Sequence, residues 1–187
     1  MPSTLPAGDP VPEDGSLPES ALAGVGTRPF GVYVHVPFCR VRCGYCDFNT
    51  YTLGELGSPT SPTTFVDAAL RELDLAHDVL GPTTARVDTV FFGGGTPTML
   101  PAADLAKLLQ GIRDRWGLAD DAEVTTEANP DSVDADYLKA LRDSGFTRVS
   151  MGMQSAVPHV LATLDRTHDP ANVARAVAAS RAADLAV

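Results

Sequence analysis

Val87-Asp88-Thr89-Val90-Phe91-Phe92-Gly93-Gly94-Gly95-Thr96-Pro97 decides the fold. Its first six residues are rich in β-branched and aromatic side chains, which suit a buried pleated strand, and the glycine triplet and proline then stop that strand. Leu105, Leu108, Leu109 and Ile112 follow at helical spacing up to Trp116-Gly117, so the stretch reads as strand, loop and helix. The same order recurs on both sides. Upstream, Gly31-Val32-Tyr33-Val34-His35-Val36 alternates as a strand that Pro37 ends. After a Gly/Ser/Pro-rich connection, Ser61-Pro62 opens a helix carrying Phe65, Ala69, Leu73 and Ala76 to Gly81. Downstream, Glu123-Val124-Thr125-Thr126-Glu127 leads through Asn129-Pro130 to a helix with Tyr137, Leu138 and Leu141 that closes at Gly145. Residues 148–153 form a fourth strand, and an Ala-rich helical stretch follows.

Strands alternating with helices of this length predict an α/β fold with a parallel sheet, either open and doubly wound or closed as a barrel. The placement of polar residues favours the barrel. A cysteine-rich loop, the loop at residues 93–97, Glu127 and Gln154 each fall at or just past the C-terminal end of a strand, the rim that carries the active site in barrels. A complete barrel takes about 250 residues, so 187 residues are expected to hold the N-terminal part of a (βα) partial TIM barrel, ending after about four βα units. Residues 1–28 are rich in Pro, Gly, Ser and acidic side chains without periodicity, which predicts a disordered tail ahead of one incomplete core domain at 29–187.

A formal net charge of −10 argues against a nucleic-acid binder, because that mode needs basic clusters along a groove. No apolar stretch approaches the roughly 20 residues that span a bilayer, and the N-terminus lacks a charged-then-apolar signal; a cytoplasmic protein with no transmembrane segment is expected. Cys39, Cys43 and Cys46 are the three cysteines. An odd number this closely spaced makes no disulfide framework and points to a metal or redox site.

The loop runs His35-Val36-Pro37-Phe38-Cys39-Arg40-Val41-Arg42-Cys43-Gly44-Tyr45-Cys46-Asp47-Phe48. Three thiolates can ligate three irons of a cubane cluster and leave the fourth iron open to an exogenous ligand. A closed zinc site would want a fourth protein ligand, and His35 or His168 is the plausible nitrogen. The remaining alternative is three buried free thiols.

A three-cysteine loop of this spacing after a first strand resembles the radical S-adenosylmethionine superfamily. Tyr33 and His35, Tyr45-Cys46-Asp47-Phe48, residues 92–98, Glu127-Ala128-Asn129-Pro130 and Ser150-Met151-Gly152-Met153-Gln154-Ser155 resemble its oxygen-independent coproporphyrinogen III oxidase-like family, from about Phe30 onward. The resemblance implies a [4Fe-4S] cluster on Cys39, Cys43 and Cys46, whose open iron takes S-adenosylmethionine. It implies that Tyr33 packs beside that cofactor, that Gly94, Gly95 and Thr96 run along it, and that Glu127 accepts its hydrogen bonds. Gln154 and Arg166 match positions that touch a second S-adenosylmethionine in the oxidases, with Tyr45 beside them. Substituting Gly95 is then expected to weaken cofactor binding and to spare the cluster.

Two branches of that family differ in function. One comprises oxidases of porphyrin biosynthesis, which decarboxylate coproporphyrinogen III; the other comprises heme chaperones, which bind heme and deliver it to apoproteins such as respiratory enzymes. Bacterial oxidases carry a further cysteine shortly after the triad, whereas here Cys46-Asp47-Phe48-Asn49-Thr50 follows with no cysteine beyond it. The heme-chaperone branch is therefore favoured over the oxidase. That branch's heme motif and accessory domain are expected beyond Val187. A radical enzyme acting on RNA is disfavoured by the acidic balance.

Overall fold

Each predicted strand–helix pair forms in the computed structural model, which describes residues 12–52, 54–55 and 61–187. Strand β1 (Phe30–Val36) is followed by two short strands, β2 (Phe38–Cys39) and β3 (Tyr51–Thr52), before helix α2 (Pro62–Leu80). Ser61 starts α2 as predicted, its hydroxyl accepting from Thr64 N–H in a reciprocal capping box, and Gly81 ends it. Then come β4 (Val87–Gly94), α3 (Ala102–Trp116), β5 (Leu118–Ala128), α4 (Ala135–Ser144), β6 (Arg148–Met151), α5 (Pro158–Thr163) and α6 (Pro170–Ala182). Asp134 caps α4, and Gly145 closes it in the left-handed conformation that glycine adopts without steric cost.

Several boundaries differ from expectation. Strand β4 continues through Gly94 because His35 and Val36 of β1 pair with Gly93 and Gly94. Strand β5 starts at Leu118 rather than Glu123, its register with β4 shifting between those two residues. Strand β6 ends at Met151, two residues early. Residues 12–28, the described part of the N-terminal segment, form turns and a four-residue helix, α1 (Glu19–Leu22), closed by bonds such as Ala23 N–H to Glu19 O (2.9 Å); α1 buries none of its residues. The rest of that tail, residues 1–11, lies outside the described residues.

The four long strands are parallel in the order β1-β4-β5-β6. A doubly wound sheet reverses its strand order at a switch point. Here every crossover steps the same way, the winding that builds a barrel wall. Val34, Val36, Val90, Phe92, Val124 and Val149 point to one face and pack under Val66, Leu105, Leu108, Leu109, Ile112, Leu138 and Leu141 of the helices. Phe92 and Phe146 touch at 5.2 Å between ring centroids within this core. Beyond β6, Ala186 bridges Arg148, and Val149 N–H donates to Ala186 O at 2.8 Å, so a further parallel pairing begins at the sheet edge. Among the described residues no helix is long and apolar enough to cross a membrane.

Candidate metal and cofactor site

Pro37 ends β1, but the chain stays beside the sheet. Phe38 and Cys39 of β2 pair with Tyr51 and Thr52 of β3, and Tyr51 N–H donates to Pro37 O at 2.8 Å, so residues 40–50 form a loop closed on its own start. The next strand's exit is fastened to it. Gly95 N–H donates to Val36 O (2.8 Å) and Thr96 N–H to Phe38 O (2.7 Å). A Cβ on Gly95 would stand 2.5 Å from Phe38 O and 3.0 Å from Cys39 Sγ, so only glycine lets the two loops approach this closely. A side chain at Gly95 would therefore press on the cysteine loop itself, beside Cys39. Gly94 has φ +109°, and a Cβ there would reach the His35 ring at 2.6 Å.

On the sheet face opposite the helices, Tyr33, His35 and Glu127 form one group. His35 Nε2 lies 2.8 Å from Asn49 O, which can only accept, so the imidazole carries its proton on Nε2 and Nδ1 accepts from Tyr33 O–H at 3.0 Å. The first strand thereby holds the far end of the cysteine loop. Gly94 N–H donates to Glu127 Oε2 at 3.2 Å. Burial pushes the Glu127 carboxyl above its ordinary value, opposed by that amide and by His35, and burial then Glu127 raise the Tyr33 hydroxyl.

A third segment reaches the loop from after β6. Gln154 and Asp165 adopt positive φ (55° and 51°), conformations disfavoured for non-glycine residues and concentrated at functional sites. Gly44 N–H donates to Leu164 O at 3.2 Å. The Arg166 guanidinium bonds Cys43 Sγ (3.4 Å), Gly152 O (2.9 Å) and His168 Nδ1 (3.1 Å). Burial, then Cys43, pushes the Tyr45 hydroxyl up; burial, then Arg166, holds His168 below its ordinary value.

These segments enclose a cavity of about 600 Å³. Cys39, Cys43, Cys46, Tyr45, Gly94, Gly95, Thr96, Glu127, Gln154 and Arg166 all line it. Tyr33 does not; it is 56% exposed and stacks on Phe91 with centroids 6.2 Å apart. Thr50 was not singled out by its sequence context, yet it is buried beneath the thiols, its hydroxyl 3.9 Å from Cys46 Sγ. Only the return of β3 onto β2 places it there, so no local signal marks it.

The donor set discriminates between metals. Among the described residues no group of three or more His, Cys, Asp or Glu converges on a single ion. A cubane takes each thiolate on a different iron, so three thiols lining one cavity fit a cluster. Of the nitrogens a zinc site would need, both of His35 are bonded, to Tyr33 and Asn49, His168 is bonded through Nδ1 to Arg166, and neither ring lines the cavity. Burial raises the Cys39 thiol above its ordinary value, against hydrogen bonds to Thr50 and Thr96. A bound cation is what turns such a thiol into a ligand.

The chain is 54% identical over 155 residues to the protein named heme chaperone HemW of Mycobacterium tuberculosis (strain ATCC 25618 / H37Rv), covering 83% of this chain and 39% of that protein. It is 40% identical over 149 residues to the heme chaperone HemW of Escherichia coli (strain K12), covering 79% and 38% respectively. The solved structure of Escherichia coli coproporphyrinogen III oxidase (HemN), described as a radical SAM enzyme, matches with a TM-score of 0.76 at 29% identity over 87% of this chain and 36% of that one. The chain thus spans 36–39% of the length of these relatives. The model of the radical SAM superfamily matches residues 33–187, the whole sheet from Tyr33 onward, and the chain belongs to that superfamily, whose members in general carry a [4Fe-4S] cluster and use S-adenosylmethionine.

Proposed function

We propose that Cys39, Cys43 and Cys46 hold a [4Fe-4S] cluster, that the cavity beside them takes S-adenosylmethionine, and that the chain is the cluster-bearing part of a cytoplasmic heme chaperone delivering heme to apoproteins such as respiratory enzymes. One observation carries the reading: three thiols line the same cavity as Gly94, Gly95, Thr96 and Glu127. The heme-chaperone names of relatives at 54% and 40% identity support the branch, as does Asp47-Phe48-Asn49-Thr50 directly after Cys46, a stretch without a further cysteine.

The cluster and S-adenosylmethionine, when bound, supply one-electron radical chemistry. The chain's own work is placement. The missing Cβ at Gly94 and Gly95 leaves room for His35 and the cysteine loop, which brings the glycine backbone and the thiols onto one cavity. Glu127, already bonded to Gly94 N–H through Oε2, has its other oxygen to accept hydrogen bonds from the cofactor. Tyr33 acts at one remove, through the His35 ring and Asn49. Gln154 and Tyr45 line the cavity on the side of Arg166.

Anaerobic reconstitution should give brown protein with equal iron and sulfide, and Cys39→Ala, Cys43→Ala or Cys46→Ala should each abolish the colour. Zinc without sulfide would overturn the cluster. In the chain extended to its relatives' length, with S-adenosylmethionine and reductant, coproporphyrinogen III should remain unchanged while heme binds and passes to an apo-acceptor. Conversion to protoporphyrinogen IX would establish the oxidase instead, the reading favoured by the structural match to HemN.

A further inference from the structure

Arg166 is held in place by three hydrogen bonds to its own chain. Its Nε–H donates to His168 Nδ1 at 3.1 Å, Nη2 to Gly152 O at 2.9 Å and Nη1 to Cys43 Sγ at 3.4 Å, so each nitrogen makes one bond and together they fix the plane of the group. Arginine only donates, so His168 Nδ1 accepts and the imidazole proton sits on Nε2. His168 is buried at 4% exposure, and its Nε2 has no partner among the described residues. Burying that polar atom costs stability unless something is gained elsewhere, and what the ring does is aim the guanidinium. A Cβ on Gly152 would stand 2.7 Å from Arg166 Nη2, so the backbone opposite is also shaped around this group.

We propose that Arg166 is a positioning residue of the cluster: aimed by His168 and the Gly152 carbonyl, its guanidinium donates to the Cys43 sulfur and makes the bound cluster easier to reduce. The inference rests on Cys43 being a cluster ligand. An electron added to the cluster increases negative charge on its sulfurs, and a cationic donor on one of them stabilises the reduced state more than the oxidised one. The resemblance assigns Arg166 to a second S-adenosylmethionine; Nη1 and Nη2 each keep one further N–H, so the test reads the cluster and S-adenosylmethionine binding separately.

The test poises reconstituted protein anaerobically at fixed potentials and reads the ratio of reduced to oxidised cluster by electron paramagnetic resonance. Arg166→Gln should lower that ratio about tenfold, which for a one-electron couple is about 59 mV. Arg166→Lys should recover part of the loss, and His168→Leu should shift the ratio the same way by less. S-adenosylmethionine affinity should stay within about twofold, a small change on the scale where tenfold is 1.4 kcal/mol. An unchanged ratio in Arg166→Gln overturns the proposal, as does lost S-adenosylmethionine affinity at an unchanged ratio, which would return Arg166 to the cofactor. If Arg166→Gln holds no cluster, His168→Leu decides by the same ratio. Wild-type protein that takes up no iron and sulfide overturns the cluster reading itself.

Discussion

Replacing Gly95 with alanine drives a methyl group into the seam between the glycine loop and the cysteine loop. The new Cβ would stand 2.5 Å from Phe38 O, 2.9 Å from Phe38 C and 3.0 Å from Cys39 Sγ. Two of these are backbone atoms, so no rotamer relieves the clash. Reaching ordinary contact near 3.5 Å parts the loops by about 1 Å, and the bonds from Gly95 N–H to Val36 O (2.8 Å) and Thr96 N–H to Phe38 O (2.7 Å) span that seam. Overpacking of this kind costs about 1–3 kcal/mol, and losing one of the two bonds adds about 1 kcal/mol. The expected loss is therefore about 2–4 kcal/mol, read as a lower midpoint of urea unfolding in cluster-free protein. Reconstituted Gly95→Ala should also bind less iron and sulfide, because Cys39 Sγ must move. Unaltered unfolding and full cluster content, with only S-adenosylmethionine binding lost, would refute this reasoning and restore the simpler picture in which the glycine only makes room for the cofactor.

Glu127→Gln keeps an acceptor for Gly94 N–H but removes a carboxyl whose proton the folded state binds more tightly than the unfolded state, because burial raises it. Ionising such a group costs stability, a cost absent below the ordinary carboxylate value and growing as pH rises through the folded one. Cluster-free Glu127→Gln should therefore be more stable than wild type at neutral pH, with the difference shrinking as pH falls toward about 4; a pH-independent difference in unfolding free energy would contradict the cause given. Tyr137→Phe removes the O–H that donates to Leu100 O at 2.8 Å and leaves that carbonyl short of a partner. It should cost about 1–3 kcal/mol in denaturant unfolding without changing iron content, and a loss of cluster would place Tyr137 in the site rather than beneath it.

Chain-local chemistry was enough to find the strand, loop and helix repeats, the Ser61 and Gly145 caps and the two loops that meet, because each rests on side-chain periodicity or on a residue with a special backbone role. The spacing of three cysteines was likewise legible, since it lies within one loop. Tertiary structure alone decided the rest. Strand β2 and strand β3 have two residues each, too short for any pattern, and exist because Tyr51 N–H finds Pro37 O. The pairing of Ala186 with Arg148 is a single bridge with no periodicity to announce it. Alternation placed Tyr33 on the face of His35 but could not show that its hydroxyl serves the imidazole rather than the cavity. His168 stood out in the sequence only as a plausible zinc nitrogen, and it is buried; that its ring bonds an arginine which reaches Cys43 depends on a contact between residues 123 positions apart. Spacing along the chain reveals which chemistry is present, whereas which atom each group serves is settled only when distant segments close on the same cavity.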